Sequence, residues 1–283
     1  MKTILIGAGR IGSVVAFCLS RAGHDVTVVA RGARLNALQC DGAIVTTSGE
    51  RTSVHVVPEF DPLIPCDLAI VTVPEHQVGP LLPLLSQCRA KTVLLMFNTF
   101  EGCARYRSVI GPDRFAFGFP NMTAALVEQR VRFRVDGPGM TTTLSRPDLV
   151  PLFRHAGMPA EYERDMDGFL RSHVALAVPL FIAALLMWKR ESHLTWKEAR
   201  RLDEAWAEGF DLVRSLGHAL KPRIVAILSR TPSLLRVLLL WAFSRSRLVK
   251  DTVEFGPVET RSLIDAMLTV SPERTRHLRA LRP

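Results

Sequence analysis

The segment MKTILIGAGRIG constrains this chain more than any other. Residues 3–7 (TILIG) form a short aliphatic run. Gly7, Gly9 and Gly12 then fall in a G-x-G-x-x-G spacing that leads into an apolar-periodic stretch from Arg10 to Ala22. Strand, glycine turn and helix in that order make the first half of a βαβ unit. The first glycine permits the tight turn, the second lets backbone approach a pyrophosphate, and the third lets helix and strand pack closely. Gly7, Ala8, Gly9, Arg10, Ile11 and Gly12 are thus the expected dinucleotide cradle, with helix N-terminal N–H groups offered to the phosphates.

The next strand, DVTVVA, ends where an NAD site usually carries Asp or Glu for the ribose hydroxyls. Here that position is Ala30, followed by Arg31, with Arg34 a turn further on. A guanidinium can grip a 2′-phosphate bidentately, and no carboxylate stands there to repel it. NADPH is therefore expected in preference to NADH. The alternative is that Arg31 is an ordinary solvent-facing residue.

The alternation continues with strands DLAIVTV and TVLLMFN and with helices expected over His76–Gln87 and Cys103–Ile110. The stretch GAIVTTSGERTSVHVVP reads as a hairpin insertion, and FAFGFP, RVRFRVDGP and TTTLS as further strands. This is the pattern of an α/β, Rossmann-type doubly wound sheet. Beyond Arg164 no strand pattern survives. Long helical segments follow one another, from DMDGFLRSHVALAVPLFIAALLMWK to PVETRSLIDAML. Two domains are expected: an NADP-binding domain over 1–164 and an all-helical domain over 165–283 serving substrate and dimerisation, with the boundary near Glu163 to Asp165.

Composition narrows the function. The five cysteines include no C-x-x-C pair, which suits reduced thiols. The first residues lack a signal-peptide pattern, so a cytoplasmic location is expected. No metal site is expected. The apolar stretch Val174 to Trp188 is shorter than the roughly 20 residues of a membrane span, and Leu234 to Phe243 carries Arg236 in its middle. Both are expected to be buried helices, with no membrane partner. The net charge of +9 is concentrated late in the chain. Its arginines are not interleaved with aromatics and no nucleic-acid motif accompanies them, so no nucleic acid partner is expected.

The glycine loop at residue 7, VVAR, VTVPEHQV, VLLMFN and the following helical region together resemble the ketopantoate reductase family. That resemblance implies NADPH-dependent reduction of 2-dehydropantoate on a Rossmann domain joined to a helical domain, with the active site in the cleft. On this resemblance Gly7, Gly9, Gly12 and Arg31 match the cofactor loop and 2′-phosphate contact. Gln77 matches a family glutamine and Asn98 the asparagine beside the cofactor. Departures accompany these matches: Pro74 replaces a cofactor-contacting lysine, and the usual N-G-x-G continuation is Asn98-Thr99-Phe100-Glu101-Gly102.

The resemblance also implies a catalytic lysine on the first long helix, followed at four-residue intervals by two substrate-holding asparagines. Residues four apart share a helical face. Here those positions fall on His173, Ala177 and Phe181. Histidine, with an ordinary pKa near 6.5, suits general acid work at neutral pH, so His173 is the expected proton donor. A packing or capping histidine is the alternative. Ala177 and Phe181 would line the substrate pocket with apolar surface and point away from ketopantoate. The family's late glutamate is best matched by Glu259, with Glu254 as runner-up. The chain is thus expected to reduce a carbonyl or imine in a relatively apolar small molecule, using His173, Asn98 and Glu259. The competing expectation is a non-catalytic NADPH-binding sensor or partner protein. The apolar C-terminal helices suit a homodimer.

Overall fold

A computed structural model describes residues 1–245 and 257–283. The chain divides into two units, Met1–Phe97 with Cys103–Arg164, and Asn98–Gly102 with Asp165–Pro283.

In the first unit the elements run β1 (Lys2–Ile6), α1 (Arg10–Arg21), β2 (Asp25–Val29), α2 (Gly32–Asp41), β3 (Ala43–Val45), β4 (Arg51–Ser53), β5 (His55–Val57), β6 (Cys66–Val71), α3 (Leu82–Gln87), β7 (Ala90–Leu95), α4 (Ala104–Ile110), β8 (Phe115–Phe119), β9 (Thr123–Val127), β10 (Arg130–Arg134), β11 (Thr142–Leu144), α5 (Val150–His155) and β12 (Ala160–Tyr162). Eight strands form one sheet in the order β12-β11-β8-β7-β6-β1-β2-β5. From β5 to β8 every pairing is parallel; β11 then joins β8 antiparallel. β1 and β6 are buried almost throughout, the near-continuous apolar reading expected of strands covered on both faces. The chain leaves β1 toward β2 and later returns to its other side through β6, so the strand order reverses at β1. Ligands of open α/β sheets bind beyond the strand ends at such a reversal. In register, Ile6 pairs with Val29 on one side and Val71 on the other, which sets the glycine loop beside the segments that follow β2 and β6.

Two local differences from expectation have clear causes. The stretch His76–Gln87 is not one helix: short 3-10 turns at Glu75–Gln77 and Gly79–Leu81 precede α3. Pro80 and Pro83 cannot donate backbone hydrogen bonds, so the first turns stay tight and broken. Directly after Arg31 the chain forms α2, which sequence periodicity does not reveal because Leu38 alone in it is buried. The expected hairpin is present as antiparallel β3–β4. A second hairpin, β9–β10, turns through Glu128 and Gln129, both at positive φ (49° and 65°), as a tight two-residue turn requires.

The second unit carries α6 (Met166–Arg190), α7 (Trp196–Ser215), α8 (Arg223–Arg230), α9 (Ser233–Phe243), α10 (Pro257–Val270) and α11 (Arg276–Ala280). Asp165 caps α6 by accepting from the Gly168 N–H at 2.9 Å. The helix runs through Pro179, whose missing N–H disturbs the carbonyl ladder one turn earlier. There the Trp206 indole N–H of α7 donates to the Leu176 carbonyl at 2.8 Å. At 25 residues α6 is long and apolar enough to cross a membrane, yet most of its apolar window is buried within the fold. α7 starts with a capping box, in which Thr195 and Glu198 satisfy each other's backbone N–H groups.

The expectation that residues 234–243 are wholly buried is corrected. Arg236 turns inward to ion-pair with buried Asp203 on α7, and Ser233 donates to the same carboxylate. Val237 and Leu240 go in with it, and helical periodicity turns Leu234, Leu235, Leu238 and Leu239 outward.

Candidate functional site

In the first unit the glycine loop is held from beneath by side chains. Gly7 adopts φ +109°, and a Cβ there would stand 2.8 Å from Val73 Cγ1. A Cβ on Gly12 would lie 1.9 Å from the Gly7 carbonyl oxygen, so neither position admits alanine without rearrangement. Gly9 is the opposite case: it is exposed, and nothing stands within 4 Å of where its Cβ would be. That open space is what a bound pyrophosphate needs.

Two carbonyls of the loop are tied down. The Thr72 hydroxyl donates to Gly7 O at 2.7 Å. Ser13 Oγ and Arg34 Nε both donate to Ala8 O, at 3.0 and 3.2 Å. In a planar trans peptide the N–H of the next residue points opposite to the carbonyl. Holding these oxygens inward therefore turns the Ala8 and Gly9 N–H groups outward, a small anion-binding concavity. α1 begins behind them with Gly9 as its N-cap, no side-chain cap and no acidic residue in its first turn. Its positive end is left for an external anion. These features fit a dinucleotide pyrophosphate.

Arg31 is exposed as the N-cap of α2, one residue beyond buried Ala30. Arg34 is not a second phosphate grip. Besides Ala8 O, its guanidinium donates to Ser13 Oγ at 2.9 Å and to the Gln129 carbonyl of the β9–β10 turn. Gln77 is exposed in the turn after β6, with its amide 3.5 Å from the His76 ring. That turn is pinned by Glu75, which accepts from the buried Tyr106 hydroxyl at 2.6 Å.

In the second unit, Asn98 and Glu259 meet although 161 residues separate them: Asn98 Nδ2 donates to Glu259 Oε1 at 2.8 Å. Glu259 sits in the first turn of α10, where the helix dipole favours a carboxylate. The Asn98 Oδ1 atom is buried and has no hydrogen-bond partner among the described residues. A buried, unsatisfied acceptor is costly unless something donates to it. Glu254 lies outside the described residues.

The departure from N-G-x-G is accommodated by a network that sequence reasoning missed. Arg171 on α6 donates to Phe100 O at 3.1 Å and Glu101 O at 2.9 Å, clasping the segment 98–102. Its third contact is His218 Nε2 at 2.6 Å, and His218 Nδ1 lies 3.1 Å from Asp165. Since arginine can only donate, His218 Nε2 accepts and its Nδ1–H faces the carboxylate. Burial raises the Asp165 pKa, but the Gly168 N–H, His218 and Lys221 outweigh it and hold the carboxyl below its ordinary value. Gly102 adopts φ +92°, a conformation side chains rarely take, and a Cβ there would press on the Arg171 guanidinium at 2.9 Å. No local pattern marks Arg171 or His218; the acidic N-cap Asp165 is the one signal the sequence offers.

His173, Ala177 and Phe181 follow at four-residue steps on α6. Ala177 and Phe181 are buried in an apolar cluster that includes Phe100, so as found they are packing residues. His173 is half-buried, and burial pushes its imidazole down to about 4. Burial thus disfavours the charged form of His173. Among the described residues no cluster of His, Cys, Asp and Glu could hold a metal ion.

Comparison with known proteins gives a consistent picture. The family model for Ketopantoate reductase PanE/ApbA matches residues 3–146, just over half of the chain. Over 85 residues the chain is 34% identical to a 2-dehydropantoate 2-reductase of Mesorhizobium japonicum. That stretch is 29% of this chain and spans 26% of the curated relative's length. The fold resembles a PanE/ApbA family ketopantoate reductase from Ralstonia eutropha, with a TM-score of 0.76 at 20% identity, covering 100% of this chain and 96% of that one. It also resembles D-mandelate dehydrogenase in a ternary structure with NADH and anilino(oxo)acetate, with a TM-score of 0.70 at 14% identity, covering 100% and 98%. At these identities the structural likeness is one of fold.

Proposed function

The chain belongs to the ketopantoate reductase family, and from that premise we propose that it uses NADPH to reduce a carbonyl group, or the C=N of an imine, in a relatively apolar small molecule. The observation that carries this reading is the Asn98–Glu259 pair. Two polar residues that the family resemblance assigns to the site are joined across 161 residues, and Asn98 keeps one buried acceptor that no described residue satisfies.

When bound, the cofactor supplies a hydride for the substrate carbon. The chain supplies the rest. The outward N–H groups of Ala8 and Gly9 and the open α1 N-terminus hold the pyrophosphate, and Arg31 holds the 2′-phosphate. Asn98 Oδ1 accepts from an N–H or O–H donor of the ligand, while Glu259 fixes the amide by occupying Nδ2. His173, neutral at rest, donates an N–H hydrogen bond to the carbonyl oxygen. Neutral imidazole is a recognised electrophile for this purpose. Negative charge developing on that oxygen raises the imidazole pKa, which favours taking up a solvent proton and passing it to the alkoxide. At the two positions where the family resemblance implies substrate-holding asparagines the chain has Ala177 and Phe181, so those amides are absent, which supports a less polar substrate.

The test is NADPH oxidation across apolar ketones, keto acids and imines, with the parent and the His173→Ala variant. Turnover of an apolar ketone or imine that His173→Ala lowers is the expected result. Robust turnover of ketopantoate would overturn the apolar assignment, and equal rates for parent and variant would remove His173 from proton transfer. The loss of the lysine and both asparagines that the resemblance implies on α6, replaced by His173, Ala177 and Phe181, favours a second reading, a non-catalytic NADPH-binding protein. That reading requires tight NADPH binding with no turnover on any substrate of the panel.

A further inference from the structure

On α9, Leu234, Leu235, Leu238 and Leu239 are between 46% and 68% exposed, and the preceding helix α8 exposes Ile224 and Ile227. The arrangement is fixed from within, because the buried Arg236–Asp203 pair sets the rotation of the helix. A contiguous leucine row facing outward marks an interaction surface. The expectation of no membrane partner rested on these leucines being buried.

Charge indicates what covers them. From Leu212 to Arg245 the sequence has no Asp or Glu, while Arg214, Lys221, Arg223, Arg230, Arg236 and Arg245 are basic. Arg214 pairs with Asp211 and Arg236 with Asp203, but Arg223, Arg230 and Arg245 are exposed and enter no ion pair among the described residues. Arg245 stacks over the Trp241 ring at 3.5 Å, and Trp241 meets Trp196 edge-on. Leucines flanked by arginine and tryptophan, with no acidic residue between, match an amphipathic helix lying in a lipid headgroup layer. Eleven residues give α9 a length of about 16 Å, too short to cross a hydrocarbon core of about 30 Å.

We propose that this face docks the protein on an anionic lipid bilayer, with α9 parallel to the surface and Leu234, Leu235, Leu238 and Leu239 in the acyl boundary. A second copy is the rival cover, as the dimer expectation would have it. A symmetric pairing through this face would set arginine against arginine, with no carboxylate from α8 or α9 to answer it.

The experiment is co-sedimentation of the full chain with vesicles of phosphatidylcholine alone or with about 30% phosphatidylglycerol, at low and high salt. Binding at least about tenfold tighter to the anionic vesicles, weakened by salt, is expected. Leu235→Ser with Leu239→Ser should lower it by about tenfold or more. Arg230→Glu should lower binding to anionic vesicles alone. An unchanged melting temperature and NADPH affinity would show that these exposed substitutions leave the fold intact. Equal binding to both vesicle types, or none, would overturn the proposal. So would a dimer in analytical ultracentrifugation that the leucine variant dissociates. None of these measurements uses turnover, so the outcome is independent of the reductase reading.

Discussion

Thr72 offers the sharpest test of how the glycine loop works. Its hydroxyl donates to Gly7 O at 2.7 Å, with Ile6 O at 3.3 Å as a second acceptor. Thr72→Val keeps the side-chain shape and removes the donor. The Gly7 carbonyl then lacks its anchor in a partly buried site, which costs about 1–2 kcal/mol. If that anchor exists to turn the Ala8 N–H outward, the loss appears in dinucleotide affinity. At 1.4 kcal/mol per tenfold, the dissociation constant should rise about 5- to 30-fold. Because the pyrophosphate is common to both cofactors, NADPH and NADH should weaken by the same factor. Titration of each cofactor by calorimetry measures the factor, and thermal melting of the free protein separates it from a general loss of stability. A loss confined to NADPH, or a lowered melting temperature with unchanged affinity, would refute the carbonyl-anchoring argument.

Arg31→Ala should show the complementary selectivity, weakening NADPH by about tenfold or more while leaving NADH affinity unchanged; equal loss of both would sink the 2′-phosphate role. Gly12→Ala should abolish cofactor binding or destabilise the protein by more than about 2 kcal/mol, since its Cβ would stand 1.9 Å from a backbone oxygen; a near-normal melting temperature and affinity would contradict the packing. Burial lowers His173 from 6.5 to about 4, so between those values the unfolded chain binds a proton that the native chain does not. Stability from this group is complete above about pH 6.5 and is lost as pH falls through 4, by up to about 3 kcal/mol. Urea unfolding at pH 7 and pH 4.5 should show a smaller acid loss for His173→Asn than for the parent.

What the sequence revealed and what it hid divide along physical lines. GAGRIG is legible because a strand, a turn and a helix start are local events, each fixed by residues a few positions apart. The chain after Arg31 was not, since α2 buries little and leaves no apolar stripe to read. Over 76–87 the apolar spacing suggests one helix, but Pro80 and Pro83 decide otherwise. Residues 234–243 show a different limit: an apolar run says that something is to be covered, not by what. The orientation of that helix is set by Asp203, 33 positions away. Asn98 and Glu259 were each nameable by resemblance, yet their pairing across 161 residues is a tertiary fact. The clasp of Arg171 on residues 100 and 101 had no local pattern at all.

That clasp bears on how the chain can be divided. The second unit is made from two stretches of sequence, the larger beginning at Asp165 and the smaller being the five residues Asn98–Gly102. A single cut at the apparent boundary would send Asn98 away with one fragment and Glu259 with the other. It would also strip Arg171 of both carbonyl acceptors. The two units are separate bodies of contacts but not separable modules, and neither half expressed alone would carry an intact Asn98–Glu259 pair.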